Sequence, residues 1–134
     1  MKNIDHIGVA VKDLEASELL FKNFFGIEPF HREEVASQHL KVSFFELGNT
    51  KVELLFPTSE KSAVSKYLLT KGEGMHHVAF LVEDIFAEIE RLKEEGFKPL
   101  SEEPISGALN KLVIFFHPKT TNGVLIELCQ KIKD

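Results

Sequence analysis

The chain has 134 residues, 43% of them hydrophobic and 28% charged, which is the size and balance of one globular domain with its own core. Its net charge of −5, with lysines scattered rather than striped, argues against a nucleic-acid surface, and no apolar run approaches the roughly 18 residues of a membrane span. A single cysteine, Cys129, admits no internal disulfide, and an apolar run beginning at Ile4 leaves no room for a leader, so a soluble cytoplasmic domain is expected.

In chain order, "IDHIGVAV" is rich in β-branched residues and predicts a strand over residues 4–11. Asp13 follows as an N-cap, its carboxylate suited to accept from amides at the helix start, and Leu14, Ser17, Phe21 and Phe24 keep helical spacing. Gly26 fits the left-handed residue that ends such a helix. A short strand near 28–33 precedes stronger ones over 40–47 and 50–56, in "KVSFFELG" and "KVELLFP". Residues 58–74, with "SAVSKYLLTKGEG", read as a short helix and glycine-rich connector. The pattern then restarts with a strand over 77–83, Asp84 as N-cap, a helix carrying Ile85, Ile89 and Leu92, and Gly96 as its stop. A short strand near 97–101 and strands over 111–116 and 123–129 complete the chain.

The restart is a duplication. "IDHIGVAVKDLEASELLFKNFFG" and "MHHVAFLVEDIFAEIERLKEEG" align His6 with His77 and Asp13 with Asp84, each pair 71 residues apart. Gly26 aligns with Gly96, one residue closer, and Phe44-Phe45 with Phe115-Phe116 at the same 71. A period this long, present twice, indicates a doubled half-domain rather than a solenoid. The expectation is one α+β domain over 1–134, with tandem βαβββ half-repeats of about 4–57 and 75–130 and a connector over 58–74.

The duplication decides between the adjacent histidines of "GEGMHHVAFLVEDI". Ile4, His6, Gly8 and Ala10 share one strand face, and the small residues beside His6 leave room against it. By the repeat, His77 takes the matching face with Ala79, and His76 points the other way. The last strand of each half adds a carboxylate among apolar neighbours, Glu53 and Glu127. Burying such a group is unfavourable unless a cation or proton accompanies it. Two neutral imidazoles and two carboxylates balance one divalent ion, so His6, Glu53, His77 and Glu127 are the expected ligands. Mixed nitrogen and oxygen donors suit Co²⁺, Mn²⁺, Ni²⁺, Fe²⁺ or Zn²⁺. His31, His39, His76 and His117 lack this symmetry and are read as surface residues or supports, and the Phe pairs as core or cleft wall.

These motifs resemble the vicinal oxygen chelate superfamily, which includes glyoxalase I, extradiol dioxygenases and antibiotic-binding proteins. Within it, "HIGVAVKDL", "LGNTKVELLFP", "GEGMHHVAFLVEDI", "LSEEP" and "HPKTTNGVLIELC" are similar to the methylmalonyl-CoA epimerases, from about Ile4 to Gln130. The resemblance implies two curled mixed sheets around a metal-binding cleft, one divalent ion per chain and a homodimer. Its metal-binding histidines match His6 and His77 and its C-terminal glutamate matches Glu127; some members have glutamine where this chain has Glu53. Two departures stand out. Certain members carry a glutamate base after a "QGV" segment, where "QHLKV" places Val42, and their glycine-rich loop is replaced by "SGALNK" at 106–111.

The activity so implied is interconversion of (2R)- and (2S)-methylmalonyl-CoA through an enolate, with a metal gripping the thioester and carboxylate oxygens. Glu127 and Glu53 are the expected catalytic carboxylates, each both ligand and base. Alternatively, Glu127 is the base and Glu53 a ligand only, with water or Lys111 delivering the second proton. The substrate is polyanionic, so Lys111 and Lys119 are candidates to bind it, against the simpler reading of both as surface lysines. A glyoxalase I-like lyase and a metal-free binding protein of the same fold are the rivals. An extradiol dioxygenase is disfavoured, because Glu53 would occupy a position that oxygen needs.

Overall fold

The computed structural model describes residues 1–132. The described residues form eight strands and three α-helices: β1 (Asn3–Ala10), α1 (Leu14–Phe25), β2 (His31–Val35), β3 (Leu40–Leu47), β4 (Thr50–Pro57), α2 (Ala63–Lys71), β5 (Gly74–Leu81), α3 (Ile85–Glu94), β6 (Ile105–Gly107), β7 (Lys111–Phe116) and β8 (Ile126–Lys131). None of the helices is long and apolar enough to cross a membrane.

Two compact units divide the chain, one of residues 6–76 and the other of residues 1–5 with 77 onward. The division cuts β1 just before His6 and β5 just before His77, the two repeat-equivalent points.

In the unit of residues 6–76 the strand order is β2-β3-β4-β1. β1 and β4 run parallel, and the other two pairings are antiparallel. Asp13 caps α1 as expected, accepting from the Ala16 amide at 3.0 Å, and Gly26 closes it at φ 71. The helix packs on one face of the sheet, where Val11, Leu14, Phe45 and Leu54 form a buried cluster with Phe21 and Phe25 against it. Phe24, expected in the apolar stripe, is instead 80% exposed. The i, i+4 step from Phe21 to Phe25 is the one that meets the sheet, with Phe25 edge-on to Phe45 at 5.5 Å.

The other unit repeats the plan, with order β5-β8-β7-β6, β5 parallel to β8 and antiparallel pairs beyond. Asp84 caps α3 through the Ala87 amide at 3.1 Å. Ile85, Ile89 and Leu92 bury the helix against Val82, Ile114, Phe116 and Leu128. The helix ends on Glu95, and Gly96 follows at φ 95.

Four expected strands shift by three residues or more at a boundary, and one of them, expected over 77–83, runs Gly74–Leu81 because pairing starts within the glycine-containing connector. The first short strand lies at 31–35, not 28–33, because Pro29 has no amide to give a ladder and pairing starts with the Phe30 amide on the Phe44 carbonyl at 2.9 Å. The second is not at 97–101, where only an isolated bridge joins Pro99 to Phe116; the paired strand is β6. The last begins at Ile126, because residues 121–124 form a turn with Gly123 at φ 83.

Candidate active site

Each unit carries one buried histidine–glutamate pair. On β1 and β4, Gly8 lies opposite Glu53, and His6 stands two residues earlier on the same face. With no side chain on Gly8, the imidazole reaches diagonally, and His6 Nδ1 lies 3.2 Å from Glu53 Oε2. On β5 and β8 the same construction recurs: Ala79 lies opposite Glu127, and His77 Nε2 is 3.1 Å from Glu127 Oε1. All four residues are 5% exposed or less.

The adjacent strand walls each pair with an aromatic ring. Phe44 lies opposite Glu53 and Phe115 opposite Glu127. The Phe115 ring meets His77 edge-on at 5.3 Å. Each Phe pair therefore splits between duties: Phe44 and Phe115 share the face of the His–Glu pair, while Phe45 and Phe116 join the helix-side core. Placing aromatics beside these pairs keeps their surroundings apolar, which strengthens any charge interaction within them.

The remaining histidines separate as the repeat implied. His76 sits edge-on to Tyr67 at 5.1 Å. His39 ends a 3₁₀ turn at φ 54, and His117 caps another, its Nδ1 accepting from the Lys119 amide at 3.1 Å. His31 Nε2 lies 3.2 Å from Glu33 Oε1 on β2.

The two lysines differ. Lys119 is exposed in the turn Pro118–Thr120. Lys111 is not a surface lysine: it is 5% exposed, and its Nζ donates to Asp5 Oδ2 at 2.8 Å. Asp5, itself 3% exposed, was not among the expected site residues. Its only signal is a carboxylate inside an otherwise apolar strand, next to His6. Cys129 is fully buried close by, and burial, reinforced by the Asp5 and Glu127 carboxylates, pushes its thiol well above the usual cysteine range.

The donor set fits a divalent metal. At metal–ligand distances of roughly 2.0–2.2 Å, neighbouring donors around one ion lie about 3 Å apart, the spacing within each His–Glu pair. Two carboxylates in such apolar surroundings otherwise require compensation of several kcal/mol each.

The sequence profile of the Glyoxalase/Bleomycin resistance protein/Dioxygenase superfamily matches residues 5–115. The chain belongs to this superfamily. Among superfamily members, the ethylmalonyl-CoA/methylmalonyl-CoA epimerase of Cereibacter sphaeroides is 42% identical over 129 residues, 95% of this chain and 96% of that one. The mitochondrial methylmalonyl-CoA epimerase of Homo sapiens is 40% identical over 95% of this chain and 73% of its own length. A methylmalonyl-CoA epimerase solved in complex with methylmalonyl-CoA and NH4+ superposes with a TM-score of 0.94 at 36% identity, covering 98% of this chain and 95% of that one. A Streptomyces coelicolor methylmalonyl-CoA epimerase variant in complex with 2-nitronate-propionyl-CoA gives 0.95 at 35% identity, with 99% of both chains covered. The fold is thus the α+β fold of the vicinal oxygen chelate proteins, as the sequence motifs implied.

Proposed function

We propose that this chain is a metal-dependent epimerase that interconverts (2R)- and (2S)-methylmalonyl-CoA through an enolate. The observation that carries the reading is the pair of buried, repeat-related His–Glu couples, His6 with Glu53 and His77 with Glu127. Full-length likeness to proteins named methylmalonyl-CoA epimerase supports this substrate over a glutathione hemithioacetal.

His6, Glu53, His77 and Glu127 would together hold one divalent ion of the Co²⁺, Mn²⁺, Ni²⁺, Fe²⁺ or Zn²⁺ kind. When bound, it would draw electron density from the substrate's thioester and carboxylate oxygens and so favour loss of the C2 proton. Glu127 takes that proton. Glu53, its repeat equivalent, is a ligand that can also act as base if one of its oxygens leaves the ion. Of the two candidate lysines, Lys119 is assigned to the anionic substrate by its exposure, while Lys111, buried against Asp5, balances that carboxylate instead. A homodimer working in the cytoplasm completes the reading. The single, thiol-form Cys129 suits a reducing compartment.

The test is isotopic. Epimerisation in D₂O should place deuterium at C2, read by mass spectrometry of both epimers. Interconversion over many turnovers with no deuterium in either epimer would contradict a path through solvent-exchanging bases. The glyoxalase reading makes the opposite demand, turnover of the glutathione hemithioacetal of methylglyoxal.

A further inference from the structure

The helices that open the two halves are the same element of a duplicated fold, yet their outer faces differ. Asp13 and Asp84 are equivalent caps, so each α1 position matches an α3 position 71 residues further on. Toward the sheet the two agree in kind: buried Leu14 matches buried Ile85, and Phe21 matches Leu92. Away from the sheet they part. There α3 carries Glu90, Arg91, Glu94 and then Glu95, all exposed, as a helix face in water should. At the same positions α1 carries Leu19, Leu20, Asn23 and Phe24, and its three apolar side chains are 59%, 58% and 80% exposed. Ile27, just beyond Gly26, is also exposed and extends the stripe. This outer face holds no charge, and Asn23 is its one polar interruption. A contiguous uncharged stripe of this kind marks an interaction surface.

The helix itself indicates what covers the stripe. Glu15 stands in its first turn and Lys22 in its last, at i and i+7 and so on one flank. Laid antiparallel on a second copy, that flank brings each Glu15 toward the partner's Lys22, whereas a parallel arrangement would set like charges together. Antiparallel helix dipoles attract as well. Lys22 also reaches Glu28 at 2.6 Å, an exposed pair of the kind that contributes little and exchanges readily. A two-fold axis at Leu20 matches sizes too. Ala16, one turn before Leu20, then faces the partner's Phe24, one turn after it, small against large. Complementarity of a surface with itself, in charge and in size, is what a closed two-fold contact requires.

We infer that a second copy of this chain covers the stripe, with α1 packed antiparallel on the partner's α1 about a two-fold axis near Leu20. The inference rests on the homodimer reading above and names its interface. Removal of Leu19, Leu20 and Phe24 from water drives the association, and Leu20 and Phe24 lie near its centre, where truncation is felt most. The same helix is seated through Phe45 and Leu54 on the strands of the His6–Glu53 pair, so the dimer covers the layer that backs this part of the site.

The experiment is sedimentation equilibrium of the full chain, with far-ultraviolet circular dichroism as the check on folding. The unsubstituted protein should sediment as a dimer. Leu20→Glu should raise its dissociation constant by about thirtyfold or more, as loss of a central contact does. Phe24→Ala removes a ring that is mostly exposed in the single chain, so it leaves that chain's fold nearly unchanged and should still weaken the dimer about tenfold. It carries the test should Leu20→Glu lose its helical signal. Glu94→Lys, at the α3 equivalent of Asn23, should leave the dimer as it was. Glu15→Lys and Lys22→Glu should each weaken association, and the two together should restore it. A dimer undiminished by Leu20→Glu and Phe24→Ala would overturn α1 as the interface while the homodimer reading stood. A double swap weaker than either single change would overturn the antiparallel arrangement. An unsubstituted protein that stays monomeric at every concentration would end the homodimer reading and this inference with it.

Discussion

His76 and His77 are neighbours in sequence with opposite fates, because successive strand side chains leave on opposite faces. His77 meets Glu127 in the interior, while His76 meets Tyr67. His77→Ala should therefore abolish tight binding of one divalent ion per chain, and His76→Ala should leave it nearly intact, as measured by metal analysis after loading and desalting. Equal retention by the double variant His6→Ala/His77→Ala would contradict the ligand set. Cys129 gives a second residue-level test. Its thiol is raised by burial, so the folded protein holds that proton to higher pH than the unfolded chain. The thiol's contribution to stability is complete below the unfolded value of about 8.5 and declines as the pH rises above it. Urea titrations from pH 7.5 to 10 should show an alkaline loss of stability that Cys129→Ala reduces. The native thiol should also resist alkylation at neutral pH.

At the scale of elements, the two helices that begin each half owe their starts to one aspartate apiece. Asp13→Ala removes the bond to the Ala16 amide and should cost about 1 kcal/mol in chemical denaturation. Phe45→Ala empties part of the core under α1 and should cost about 3–5 kcal/mol, whereas Phe24→Ala, on the exposed side, should shift stability by less than about 0.5 kcal/mol. Those helices and the long strands were legible in the sequence, because a cap, a 3.6 period and a β-branched run are local signals. The edges were not. β2 and β6 are short and polar, and their limits are set by pairing with β3 and β7 across the sheet rather than by their own composition. Phe24 misled for a similar reason: i+3 and i+4 spacings both look helical, and only the docked sheet selects Phe25.

For the molecule as a whole, duplication made the candidate site readable. Four residues distant in sequence could be grouped because each has a repeat partner, 71 positions away for the histidines and 74 for the glutamates, among similar neighbours. The buried Lys111–Asp5 pair has no such echo; its members are 106 residues apart, and neither half repeats it. The central claim, metal-dependent epimerisation by this chain, is tested most directly by incubating metal-loaded protein with a single epimer of methylmalonyl-CoA, with and without a chelator. The account predicts formation of the other epimer to an equal mixture, abolished by chelation and restored by added divalent ion. Absence of the second epimer with metal present, or its undiminished formation after the metal has been stripped, would contradict it.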